Sequence, residues 1–102
     1  MHYGNTKTLI ESIVRWLRTE GSHDDAEWLA QADLVQSCLA EMVEMAKPTV
    51  HPSKAPASRY IHRPIVDRLN RALPYGRSML TAMRDRDRTT ALEHGETTLH
   101  RL

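Results

Sequence analysis

Phenylalanine is absent from this 102-residue chain, and the aromatic residues are two Trp and three Tyr. Aliphatic side chains and the five Met must therefore fill any core, and Met suits either an adaptable core or an adaptable contact surface. Cysteine is nearly absent too. Cys38 is the single one, so no intrachain disulfide can form, and a reduced thiol in the cytoplasm is the expectation. The opening Met1-His2-Tyr3-Gly4 has no charged region followed by an apolar one, so no signal peptide is expected. No apolar run approaches the ~20 residues of a membrane span. Strand-like alternation and internal repeats are missing as well.

What remains is helical pattern. The length suits one domain, 1–102, and an all-α fold. Thr8 and Glu11 have capping-box spacing, and Leu9, Ile10, Ile13, Trp16 and Leu17 share one face, which predicts a helix over 8–19. Gly21 offers a C-cap and Ser22 an N-cap, with Asp24 and Asp25 complementing the dipole of a second helix over 23–46. So short a link makes the pair an antiparallel hairpin.

Four of the five prolines fall in 48–63 or at its edge, which excludes regular helix there and predicts an extended connector with Val50, Tyr60 and Ile61 docked on the hairpin. Pro64 suits the first position of a third helix over 64–73. Leu73-Pro74-Tyr75-Gly76 should break or kink it, a fourth helix over 76–94 should end at Gly95, and 96–102 should fray.

The second helix is apolar around more of its circumference than a hairpin needs. Trp28, Ala32, Val35, Leu39, Met42 and Ala46 make one stripe, and Leu34, Cys38 and Met45 lie on its flank, interrupted by Gln31. The arc approaches about 220°, against the roughly 100° of an ordinary surface helix. Two readings stay open. Either the later helices cover the flank, or Leu34, Cys38, Met42 and Met45, with Gln31 and Trp28, meet another chain. That chain could be a partner protein or a second copy in a homodimer.

Catalytic and metal chemistry find no support. His2, His23, His51, His62, His94 and His100 never pair with each other or with Cys38 at helical ligand spacing, so no metal and no cofactor are expected. Cys38 sits mid-helix among apolar residues, and the four glycines are isolated, so neither a nucleophile nor a phosphate loop is expected. The chain is expected not to be an enzyme.

Charge is divided. Residues 1–53 hold four Lys/Arg against eight Asp/Glu, and 54–102 hold ten against five. Arg59, Arg63, Arg68, Arg71, Arg77, Arg84, Arg86 and Arg88 raise the alternative of a small nucleic-acid-binding protein, with Arg68 and Arg71 as contacts to an anionic partner. Against it, Arg84-Asp85-Arg86-Asp87-Arg88 alternates in sign like a solvated, self-paired helix.

Taken whole, with its hairpin from Leu9 to Met45 and a Pro-rich connector into a basic helical half, the chain resembles the small quorum-sensing anti-activators of Pseudomonas typified by QslA. The resemblance implies a helical dimer that binds the ligand-binding domain of the transcription factor LasR and blocks its dimerisation. An inhibitor of a host complex, of the kind phages encode, would use the same physics on another partner.

Overall fold

The structure, a computed structural model, describes residues 3–19, 21–47 and 63–102. Among them are four α-helices and no strand: α1 (Tyr3–Arg18), α2 (Asp25–Ala46), α3 (Arg63–Arg84) and α4 (Arg88–Arg101). The connector predicted for 48–63 lies outside the described residues, except for the backbone of Arg63. So do Val50, Tyr60 and Ile61.

Helix α1 starts a full turn earlier than the capping pattern predicts. Thr8 is no cap, because its hydroxyl donates back to Gly4 O at 2.9 Å. Tertiary contacts hold the added turn. The Tyr3 hydroxyl donates to Leu102 O, and buried Thr6 donates to Glu41 Oε2 at 3.0 Å. Gly21, at φ +107°, turns the chain in the left-handed region that glycine adopts without strain.

The cap of α2 is Asp24, not Ser22. Its carboxylate accepts from Glu27 N at 2.8 Å. The shift follows from His23, which stacks on Trp16 with ring centroids 3.9 Å apart. Trp16 also meets Trp28 edge to face at 4.8 Å, which locks the two ends of the hairpin link together.

Helix α3 runs unbroken through Pro74. A mid-helix proline removes one backbone hydrogen bond and costs about 3 kcal/mol when nothing offsets it. Here Pro74 is exposed, as is Asn70, whose carbonyl lacks the N–H that position 74 would otherwise donate. On the opposite side Leu69, Ala72, Leu73, Met79 and Met83 are buried, and their packing outweighs the lost bond. Gly76 is not a stop either. A Cβ there would lie 2.5 Å from Leu39 Cδ2, so the glycine lets α3 lie close against α2.

The break predicted at 74–76 occurs instead at 85–87, where three residues do separate work. Arg86 N bonds Met83 O at 3.0 Å and Asp87 N bonds Ala82 O at 2.8 Å, the paired bonds of a Schellman stop. Arg86 takes the left-handed position that glycine usually fills, at φ 56°. Asp87 then caps α4 by accepting from Thr90 N at 3.2 Å. Hydrogen bonds from the Thr90 hydroxyl and then its backbone hold the Asp87 carboxyl below its ordinary range.

Arg88 reaches across to the end of α1. Its Nε donates to Leu17 O at 2.6 Å, one terminal nitrogen to Gly21 O at 3.1 Å, and the other to Thr19 O. Leu17 O is one of the carbonyls that the end of a helix leaves without partners, and Thr19 and Gly21 follow α1 in the link to α2. The run Arg84–Arg88 is therefore a turn with partners on other helices, not a self-paired helix. Arg84 donates to Gln36 at 2.6 Å and Arg86 pairs with Asp25 at 3.2 Å.

The tail predicted to fray is helix. Thr98 is fully buried and Leu102 nearly so, and Gly95 packs inside α4, where a Cβ would come 2.9 Å from Val14 Cγ2. Each helix touches its two chain neighbours and α4 closes back on α1, while α1–α3 and α2–α4 lie across the diagonals. The ties Tyr3–Leu102, Arg88–Leu17, Arg86–Asp25 and Leu39–Gly76 make adjacent helices antiparallel. The fold is an up-down-up-down four-helix bundle.

Two outcomes follow. Arg88→Ala leaves three carbonyls short of a charged donor, and chemical denaturation should show a loss of about 2–3 kcal/mol, with Arg88→Lys recovering only part. The Asp87 cap is intact above the ordinary carboxylate range and is lost as pH falls through its lowered pKa. Asp87→Asn should therefore flatten the acid limb of the stability profile.

Candidate protein-binding surface

The wide apolar face of α2 is spent mostly inside the bundle. Cys38 is 1% exposed, Met42 0%, Met45 4% and Trp28 8%, so four of the six residues read as a contact face are core. Gln31 is half-buried, and Leu34 alone is exposed, at 41%. The physical reason is the place of α2 between two neighbours. Its Cys38–Met45 side faces α1, as the bond from Thr6 to Glu41 on that side shows. Its other side faces α3, as Leu39 against Gly76 and Gln36 with Arg84 show. A helix with two neighbours needs two apolar flanks, and together these make the broad arc. Of the two readings left open by the sequence, cover within the bundle holds for Cys38, Met42 and Met45, but the cover is α1 and not the later helices.

The methionines follow the same logic. Met42, Met45, Met79 and Met83 are all buried, so Met here fills the core and does not form a contact patch. The Cys38 thiol is pushed up to about 11 from its ordinary 9.0, chiefly by burial and next by the nearby Glu41 carboxylate. It stays protonated near neutrality and makes a poor nucleophile or metal ligand. Among the described residues no group of three His, Cys, Asp or Glu is arranged to hold a metal ion. His23 is not a free surface histidine. Its side chain is largely buried against Trp16, with Nδ1 3.3 Å from Glu27 and Nε2 lacking a partner.

What the bundle leaves outside is informative. Leu9, Leu29, Leu34 and Val43 are the exposed large apolar side chains among the described residues, and all four lie on the hairpin. They flank α2 on two edges. Leu34 shares its edge with Gln31 and Glu41, toward α1, where Leu9 stands seven residues before Trp16 on the α2-facing edge. Leu29, Gln36 and Val43 repeat every seven residues on the α3-facing edge. Beside Leu29 a notch of about 110 Å³ is lined by Trp28, Ala32 and Met83, with Arg84 and Arg86 at its side. Acidic Glu27, Asp33, Glu41 and Glu44 surround these edges on α2.

Arg68 and Arg71 are exposed and stand near the start of α3. The fold brings Lys7, His100 and Arg101 to the same cleft. Sequence reasoning missed those three because nothing local joins positions 7, 68–71 and 100–101. It missed Arg88 because a cap on another helix leaves no spacing signal.

Burial separates two substitutions on one flank. Leu34→Arg should leave the far-ultraviolet circular dichroism and melting curve near wild type. Met45→Arg buries an unpaired charge and should cost several kcal/mol or abolish folding. Because burial favours the neutral Cys38 thiol, its contribution to stability is complete below pH 9.0 and declines as pH rises toward about 11. Cys38→Ser should lose that alkaline dependence. Comparison with protein-family models, curated proteins and solved structures finds no match for this chain.

Proposed function

We propose that this chain is a non-enzymatic regulatory protein that binds another protein through the outer edges of its α1–α2 hairpin. The observation that carries this reading is the confinement of Leu9, Leu29, Leu34 and Val43 to that hairpin. Exposed apolar side chains grouped on one element suit an interface better than scattered ones do. The surrounding carboxylates favour a partner whose apolar patch has a basic rim. The buried, protonated Cys38 is in keeping with a role that needs no nucleophile.

The partner class is a transcription factor of the LuxR type, held at its ligand-binding domain so that the factor cannot dimerise. This finer reading rests on the likeness in size, hairpin and basic half to the quorum-sensing anti-activators. Competition of this kind needs only an apolar surface whose binding free energy exceeds that of the factor's self-association. In the absence of the partner the same edges join two copies of the chain.

The test is light scattering after size-exclusion chromatography, on the chain alone and mixed with a LuxR-type ligand-binding domain. Wild type should form a dimer alone and convert the dimeric domain into a mixed complex. Leu34→Arg and Leu29→Arg, both folded, should each weaken the complex by about 1–3 kcal/mol. If the domain stays dimeric and elutes apart from wild type, the partner assignment fails. If both variants associate like wild type, the hairpin edges are not the surface.

A further inference from the structure

At the end of the bundle opposite the Arg88 turn, a cleft of about 700 Å³ opens between the start of α1, the start of α3 and the end of α4. Five basic side chains line it: Lys7, Arg68, Arg71, His100 and Arg101. One side-chain carboxylate, that of Asp67, lines it with them. We propose that this cleft is a binding site for a small, multiply charged oxyanion of the phosphate class.

The first support is that the fold, not the local sequence, gathers these charges. They come from three helices and from positions up to 94 apart in number, 7 to 101. Bringing like charges together costs free energy that an anion recovers. The second is that their charged ends are uncommitted. Among the described residues no ion pair engages Lys7, Arg68, Arg71 or Arg101. The Nε of Arg71 reaches Asp67 O at 3.4 Å, which leaves its two terminal nitrogens free. Arg101 lies over the Tyr75 ring at 5.4 Å, a contact that steadies the guanidinium without neutralising it.

Four arginines elsewhere are committed. Arg18 pairs with Glu96 at 3.4 Å and Arg86 with Asp25 at 3.2 Å, while Arg84 and Arg88 are used on Gln36 and on backbone carbonyls. Farther along α3, Arg77 shares a pocket with Asp85 and Asp87 and Arg84 donates to Gln36, so the basic surface is interrupted there, which suits a compact anion better than an extended nucleic acid. The volume matches small-molecule sites, commonly about 300–1,000 Å³. Guanidinium forks suit phosphate oxygens, and four cations against the carboxylates of Asp67 and of the Leu102 end group leave a positive excess that suits a ligand with more than one charge.

The experiment is thermal unfolding and calorimetry of the full chain with tripolyphosphate as probe, against sodium chloride at equal ionic strength. Tripolyphosphate should raise the melting temperature saturably where chloride does not. Amide resonances of 67–71 and 99–102 should shift on binding. In the double variant Arg68→Gln/Arg71→Gln, which alters exposed positions, the dissociation constant should rise at least about tenfold with the fold intact. Equal effects of tripolyphosphate and chloride would overturn the proposal, as would unchanged affinity in the double variant. Saturable duplex-DNA binding lost in that variant would replace it with the nucleic-acid reading. Leu34→Arg should bind tripolyphosphate as wild type does, which keeps this test independent of the hairpin surface.

Discussion

The grip of Arg88 on the last turn of α1 is the contact on which the arrangement depends. The guanidinium donates in three directions at once, to Leu17 O at the exposed end of α1 and to Thr19 O and Gly21 O in the link that follows. Its position is set two residues upstream. Arg86 in the left-handed region ends α3, and Asp87 begins α4, so Arg88 emerges at the first turn aimed at α1. This closes the ring of four helices. At the other end of α4 the Tyr3–Leu102 bond secures the same pair.

Closure of the ring explains the odd breadth of α2. With α1 on one flank and α3 on the other, both flanks must be apolar, and Met42, Met45 and Cys38 become interior. Only residues at the two rims of that arc, Leu34 on one side and Leu29 and Val43 on the other, stay in water. The proposed interface is thus what remains of α2 after the bundle has used the rest. The basic cleft is likewise a product of closure, since it exists only where α1, α3 and α4 converge.

The all-helical class and the hairpin could be read from periodicity, because the apolar faces of α1 and α2 repeat at helical spacing. The helix boundaries in the second half could not. Pro74 and Gly76 are local helix breakers, and only tertiary packing of Leu69, Leu73, Met79 and Met83 overrides them. Gly95 looks like a stop in one dimension, whereas in three it is a point of close approach to Val14. For the site, the helix wheel located the unusual element but not its free part. A wheel shows which residues share a direction, not how many neighbours that direction meets. Arg68 and Arg71 were visible as charges, but their association with Lys7, His100 and Arg101 required the fold.

The central claim is that the Met42–Met45 flank is interior, which leaves the hairpin rims as the proposed interface. Oxidation by dilute hydrogen peroxide, read by mass spectrometry, tests this directly because methionine reacts in proportion to its accessibility. In the native protein Met42 and Met45 should be protected as strongly as Met79 and Met83, and all four should react at one fast rate in denaturant. Rapid oxidation of Met42 and Met45 in a native chain whose Met79 and Met83 stay protected would contradict the account and place that flank on the surface.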